Sequence, residues 1–143
     1  MQTRSLTFGI QAAVVVGVIG FTAGVSVGEE NVSQRVYELR TYTTHPGRLP
    51  ALHKRFAEHT LRLFEKHGMK NEMYWTPTDE KLKDNTLIYF LSHDSQEAAE
   101  KSWQAFQADP EWHKVRDASE ADGKIVGGVT RVYMTQVPWQ QAK

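Results

Sequence analysis

The sequence predicts an α+β domain of the ferredoxin-like kind, with the element order β-α-β-β-α-β, behind an apolar leader. Three observations support this fold class. Four segments are rich in the β-branched and aromatic residues typical of strands, amphipathic helical segments separate them in a split βαβ arrangement, and an 18-residue apolar run precedes them all. The 143 residues suffice for one domain with one core and are too few for two ordinary domains.

Residues 1–28 are typical of a signal peptide or membrane anchor. Arg4 is the only charged side chain before Glu29, and residues 10–27 are apolar or small at nearly every position. A basic start followed by an apolar run is the pattern of a secretory signal, and 18 residues is also near the lower limit of the roughly 17–25 needed to span a bilayer. The sequence therefore predicts export: a periplasmic or secreted protein, or one tethered to the membrane through residues 10–27. Residues 29–34 are interpreted as a linker and residues 35–139 as the domain.

Composition excludes several classes of function. The 17 basic and 17 acidic residues balance and form no polybasic stretch, so we expect no nucleic-acid partner. The absence of cysteine excludes disulfides and thiolate catalysis. No two of the six histidines are four residues apart, so we predict no metal site, and the sequence identifies no cofactor.

The first half of the domain begins with a strand at Arg35–Thr43. Apolar residues at spacings of three, four and seven then predict a helix over Leu49–His67, and Gly68 provides a left-handed cap. Met69–Thr76 is a second predicted strand, followed by a polar connection over residues 77–85.

The second half begins with Thr86–His93, a strand that is apolar on both faces and is therefore expected to be central. A capping box at Asp94-x-x-Glu97 predicts a helix that runs to Ala108. Asp109-Pro110 repeats the start signal for a short helix that ends near Ala121. The last strand is predicted over Ile125–Val137, with a bulge at its two glycines, and Pro138 is expected to end it.

This order places two helices on one face of a four-stranded sheet and leaves the other face uncovered. Such a face would expose a large apolar patch unless a partner covers it. We therefore expect a homodimer formed through that face.

Four short motifs occur in a characteristic order along the domain. They are Val36-Tyr37-Glu38-Leu39-Arg40-x-Tyr42, Pro46-Gly47, Trp103-x-x-Phe106 and Asp109-Pro110-x-Trp112. Together they resemble the NIPSNAP family over about Arg35 to Trp139. The resemblance implies the dimeric α/β-barrel version of the ferredoxin-like fold. It does not imply one activity, because members of the wider barrel superfamily include oxygenases, haem-handling enzymes and isomerases.

The first strand carries the strongest candidate for a site. Alternation places Glu38, Arg40 and Tyr42 on one face and Leu39 on the other. We assign Leu39 to packing against the helices, so Glu38 and Arg40 are expected to point toward the dimer side. There Arg40, oriented by Glu38, would bind an anionic ligand in a cavity rimmed by Tyr42 and Trp75. The alternative, which we favour, is an ion pair that fixes the register of the dimer.

His93 is the histidine with the strongest claim to a role, because it ends the central strand where the sheet meets its loops. A neutral imidazole can serve as a general base or a haem ligand, although a histidine at the end of an element is more often structural. Trp103, Phe106 and Trp112 are interpreted mainly as core packing.

Two functions remain open, beside the alternative of a purely structural dimer with a filled interior. The first is a dimeric small-ligand-binding or accessory domain outside the cytoplasm. The second is a cofactor-independent or haem-dependent oxygenase or isomerase of the barrel superfamily. An enclosed pocket with a titratable group beside it would favour the enzyme, whereas a pocket alone would favour the binding domain.

Overall fold

Four strands form one antiparallel sheet, and helices connect them in the order that the sequence predicts. The computed structural model of the protein describes residues 35–141, so the leader and the linker lie outside the described residues. The α+β class and the ferredoxin-like element order are thus confirmed.

The sheet has the strand order β2-β3-β1-β4, with every neighbouring pair antiparallel. Its strands are β1 (Val36–Thr44), β2 (Lys70–Trp75), β3 (Thr86–His93) and β4 (Val126–Thr135). The predicted bounds of β3 are the observed ones, and the prediction that β3 is an inner strand is confirmed. Arg40 at the middle of β1 lies opposite Tyr89 of β3 and Arg131 of β4.

The first predicted helix is interrupted by a wider turn. The helical elements are α1 (Leu49–Arg55), a π-helical turn (Phe56–Thr60), α2 (Leu61–Lys66), α3 (Gln96–Ala108), α4 (Pro110–Ser119) and α5 (Pro138–Gln141). The short helix α5 was not predicted: Pro138 follows the last strand, as expected, but also begins a helix.

The predicted boundary signals are correct at most ends. Gly68 has a positive φ of 76° after the first helical segment, and the Asp109 carboxylate accepts from the backbone N–H of Glu111 at the start of α4. At α3 the prediction was wrong by one residue, because Ser95, not Asp94, caps the helix and accepts from the N–H of Ala98 at 3.0 Å.

The predicted bulge at the glycines of the last strand is present. The β1–β4 register shifts between Thr43 and Thr44, opposite Gly127 and Gly128. A Cβ on Gly127 would lie 3.4 Å from the imidazole of His45, so the absence of a side chain lets this ring pack against the backbone.

The core lies between the helices and one face of the sheet, which we call the helix face. Its buried side chains come from α1, the π-helical turn, α2, β3 and α3, and include Leu52, Phe56, Leu63, Phe64, Leu87, Tyr89, Leu91, Trp103 and Phe106. Many are aromatic rings in edge-to-face contact, an arrangement that adds to the apolar burial.

The orientation of β1 is opposite to the one predicted. Glu38 and Arg40 are buried on the helix face, whereas Leu39 is only half-buried on the other side. The physical reason is that the helix face supplies hydrogen-bond donors for the Glu38 carboxylate, including the indole N–H of Trp103 on α3. Alternation correctly separates the two sets of side chains but does not say which set faces the helices.

The opposite side of the sheet, which we call the open face, is apolar. It carries Tyr37, Leu39, Met73, Trp75, Phe90 and Val132. Met73, Trp75 and Val132 are 59%, 43% and 53% exposed, respectively, which is unusual for large apolar side chains so close together.

Between residues 35 and 141, no helix is long and apolar enough to span a bilayer.

Candidate functional site

A buried network centred on Glu38 joins three of the elements around the core. The Glu38 carboxylate accepts from Arg40 Nη1 at 2.7 Å, from Trp103 Nε1 at 2.7 Å and from His93 Nε2 at 3.1 Å. The Arg40 guanidinium also lies over the Trp103 ring, 4.0 Å from its centroid, where a cation–π contact is favourable. Since Glu38 is fully buried, these three donors replace the water that the charge would otherwise need.

The network holds Glu38 and Arg40 in their charged forms. Burial raises the pKa of Glu38, but the bonds from His93, Trp103 and Arg40 outweigh it, and the pKa lies below its usual value. Burial likewise lowers the pKa of Arg40, yet the neighbouring phenols of Tyr42 and Tyr89 and the Glu38 carboxylate raise it above the usual value. The pair is therefore ionised across the physiological range.

The favoured prediction for this pair was half right. Glu38 and Arg40 do form an ion pair, but it lies on the helix face, away from the open face through which a dimer was expected. His93 joins the same ion pair and is 3% exposed, so it is a buried member of the network and not a residue at an open loop end. Ligand binding by these three residues stays a prediction.

Tyr42 lies at the boundary between this network and the aromatic core. The Arg40 guanidinium is 5.5 Å from its ring centroid, and the rings of Phe56 and Tyr89 contact it edge-on. Burial raises the pKa of Tyr89 well above its usual value, so its phenol stays protonated beside Tyr42.

Trp75 is not brought together with the other predicted site residues. Its ring packs against Phe90 on the open face, with centroids 5.4 Å apart. It also borders a shallow cavity of about 320 Å³ beside Tyr74 and the π-helical turn.

A second cavity, which Tyr42 borders, lies between the helices and the sheet. We call it the aromatic cavity; its volume is about 180 Å³. Half of the side chains in its wall are aromatic, namely Tyr42, Phe56, Phe64, Phe106 and Trp112, and three are charged, namely Arg55, Arg116 and Glu120. A cavity of about 150 Å³ lined by apolar side chains can hold benzene, so this one has room for a single ring.

The π-helical turn shapes this cavity. Phe56 and Thr60, which begin and end the turn, both line the cavity and are buried. The Thr60 hydroxyl donates to the backbone oxygen of Arg55 at 3.2 Å, which supports the widened turn. Such turns are rare and are frequently found at functional sites.

A buried cation stands at the edge of the aromatic cavity. Arg55 is 4% exposed, contacts the cavity and lies with its guanidinium 5.3 Å from the Trp112 ring centroid. Its Nη1 donates to Glu120 Oε1 at 3.2 Å and to Ser119 Oγ at 3.3 Å.

Neither Arg55 nor Thr60 was predicted from the sequence as a site residue. A signal was available for Arg55, because it follows Leu52 by three residues and therefore lies on the apolar stripe of its helix. A cation on that stripe must be paired inside the protein or bind something there. The role of Thr60 depends on the π-helical turn, for which the sequence gives no comparable signal.

No group of three or more acidic or histidine side chains within residues 35–141 is arranged to hold a metal ion.

Comparison with proteins of known structure supports the fold. A NIPSNAP family protein of unknown function from Agrobacterium tumefaciens is 19% identical, with 73% of this chain and 90% of that chain covered and a TM-score of 0.61. A NIPSNAP-like domain protein from Burkholderia xenovorans is 12% identical, with 75% and 89% covered and a TM-score of 0.65. A monooxygenase from Streptomyces coelicolor, solved with nanaomycin D, is 16% identical, with 73% and 89% covered and a TM-score of 0.50. At these identities the similarity shows a shared fold and nothing finer.

Among curated proteins, no sequence is similar enough to count as a relative. The NIPSNAP family model, in contrast, matches residues 37–141, which contain the four strands except for the first residue of β1, and most of the motifs named above. The resemblance inferred from those motifs is confirmed, and this chain belongs to the NIPSNAP family.

Proposed function

We propose that this NIPSNAP domain is a homodimeric small-ligand-binding module, and that the ligand lies in the aromatic cavity. The observation that carries the proposal is a half-open cavity of about 180 Å³ with five aromatic side chains in its wall, directly beside a buried arginine. Ligand sites are commonly concave and largely apolar, with a few polar groups that fix orientation. Arg55, Thr60 and Tyr42 are such groups here.

The homodimer is supported by the open face. Met73, Trp75 and Val132 are large apolar side chains that are about half exposed, and Phe90 continues the same surface. A second copy of this face would cover them, as two sheets pack face to face about 10 Å apart. This is the dimeric barrel arrangement, and the aromatic cavity lies on the opposite side of the sheet from it.

Binding is favoured over catalysis by the chemistry of the cavity wall. Its one carboxylate among the described residues, that of Glu120, is engaged with Arg55. The oxygenase or isomerase alternative stays a prediction from the family resemblance, as does export, which depends on residues 1–28.

The test combines ligand retention with a variant that fills the cavity. A native mass spectrum of the protein purified from its own cells is expected to report a dimer with a retained small molecule. In addition, neutral single-ring compounds such as benzamide and benzyl alcohol should bind to the purified full chain in ligand-observed NMR.

Val126→Phe places a ring into the aromatic cavity, since Val126 lines it, and should abolish both retention and binding. The matched control is Val137→Phe, at a valine that is 43% exposed and is not part of the cavity wall. If the wild type neither retains nor binds any of these compounds, the proposed function is wrong.

A further inference from the structure

We propose that the ligand is a small aromatic carboxylate, whose ring occupies the aromatic cavity and whose carboxylate takes the place of Glu120 on Arg55. This inference rests on the proposed function and names the ligand class of the same site. It depends on a larger groove outside the cavity, on the position of Arg55 between the two, and on the charges around it.

The groove lies between α1 with its π-helical turn and α4, and its volume is about 590 Å³. We call it the outer groove. Ala51, Val115 and Ala118 contribute small or apolar side chains to its wall, while Lys54 and Lys114 contribute charges from opposite sides. Its size and mixed lining suit the polar end of a ligand and the water around it.

Arg55 is the one described residue that lines both the outer groove and the aromatic cavity. Its side chain is 3% exposed, and its Nε has no hydrogen-bond partner among the described residues. A buried donor without an acceptor is unfavourable, so an additional acceptor at this position would stabilise the protein. A carboxylate suits the site because its two oxygens match the planar fork of a guanidinium.

The present partner of Arg55 is well placed to be exchanged. Glu120 Oε1 is 3.2 Å from Arg55 Nη1, which is longer than the roughly 2.7–2.9 Å of a strong charge-assisted bond. Glu120 Oε1 also accepts from the backbone N–H of Ile125 at 3.3 Å, a bond that the ligand carboxylate would have to replace. The Glu120 side chain is already 22% exposed, so it can turn toward water when this exchange occurs. The Arg55 charge would then stay paired throughout the exchange.

Charges around the outer groove favour an anion. Arg48 is paired with Asp122 at 2.7 Å, and Glu111 with Arg62 and Lys66. Glu58 lies 3.8 Å from His59. Lys54 and Lys114 form no ion pair with any residue between 35 and 141, and Glu58 is the one groove carboxylate with no lysine or arginine partner there, so two unpaired cations and one such anion face the groove. Together with Arg55 the two lysines would attract a carboxylate and orient its ring toward the aromatic cavity.

The test compares benzoate with benzamide, which has nearly the same shape and no charge. Both are titrated into the full chain by calorimetry at low and moderate salt. We expect benzoate to bind at least about tenfold more tightly than benzamide, since a hydrogen bond to a charged group contributes that much or more. Arg55→Gln should remove about 10- to 100-fold of the benzoate affinity and little of the benzamide affinity.

A second variant keeps the test valid if Arg55→Gln does not fold. Lys54→Gln/Lys114→Gln changes exposed side chains only and should lower benzoate affinity a few fold without changing benzamide binding. Its matched control is Lys81→Gln/Lys101→Gln, which removes the same net charge from exposed positions on segments that contribute no residue to the groove and should have no effect.

The outcomes separate this inference from the proposed function. Equal binding of benzoate and benzamide, both blocked by Val126→Phe, would overturn the carboxylate inference and leave the binding module in place. A preference for benzoate that survives both the Arg55 and the lysine substitutions would also overturn it. Failure of both compounds to bind would instead count against the aromatic cavity as a ligand site, and hence against both proposals.

Discussion

Replacement of Arg40 by methionine tests whether the Glu38 network is structural. The change keeps much of the side-chain volume but removes the guanidinium that donates to Glu38 at 2.7 Å and lies over Trp103. Breaking a buried ion pair by removing one partner costs about 3–5 kcal/mol, because the other charge stays buried. Glu38 retains the donors of His93 and Trp103, so we expect a loss near the lower end, about 3 kcal/mol.

The loss should depend on pH in a defined direction. In the wild type the pKa of Glu38 is lowered, so its contribution to stability is present above the unfolded pKa and is lost as pH falls through the folded value. Without Arg40, fewer hydrogen bonds oppose the effect of burial, so the pKa of Glu38 rises relative to the wild type. The stranded carboxylate can then be neutralised by a proton, and the difference in stability between variant and wild type should shrink from pH 7 to pH 4.

The assay is urea unfolding of the full chain, followed by circular dichroism at both pH values. Arg131→Met is the matched control, since Arg131 lies opposite Arg40 in the register and is exposed. It should change stability by no more than about 0.5 kcal/mol. A loss below about 1 kcal/mol for Arg40→Met, or one that is the same at pH 7 and pH 4, would refute the assignment of the network as a buried, charged unit. Sedimentation of the variant should still show a dimer, because the network lies on the helix face.

Three further predictions follow from the same structure. Trp103→Ala should cost about 3–5 kcal/mol in urea unfolding, because the ring is buried and its N–H is bonded to Glu38, whereas Trp75→Ala should cost far less. Hydrogen bonds from Lys66, His67 and the Glu111 backbone hold the pKa of Asp109 well below its usual range. Asp109→Asn should therefore lower the stability at neutral pH, and the variant should lose less stability than the wild type as the pH falls, which acid titration of both proteins by circular dichroism checks. Val132→Asp should shift sedimentation from dimer to monomer, while Val129→Asp, on the same strand but the opposite face, should leave the dimer intact.

The sequence predicts the order of elements well because the signals are local. Thr86–His93 has an apolar run bounded by a polar connection and a helix start, and its observed bounds are the predicted ones. Leu49–His67 has the right periodicity for one helix, but the π-helical turn within it was not predicted. The apolar periodicity does not reveal that turn, since the same pattern continues equally well through an ordinary α-helical turn.

Only part of the candidate site was predicted from the sequence. Glu38 and Arg40 were expected to pair, and they do, but on the side of the sheet opposite to the one predicted; that His93 joins them was not predicted. Either of the two alternating sets of side chains of a strand can face the helices. In β1 the choice depended on the indole N–H of Trp103, 65 positions further along the chain from Glu38. Long-range pairing of this kind cannot be obtained from the spacing of residues within β1.

The Glu38 network also has a consequence for strand pairing during folding. If β1 slipped by one residue against its neighbours, Leu39 would move beneath Trp103 and Glu38 would turn to the open face. The indole N–H and the His93 imidazole would then lose the carboxylate that accepts from them. Each mispaired state would thus carry unsatisfied buried donors in addition to any lost apolar contact, a penalty of about 1–3 kcal/mol for each donor. The Glu38 carboxylate therefore distinguishes the native register from registers shifted by one residue. A strand with the same alternation but only apolar side chains would distinguish them less sharply.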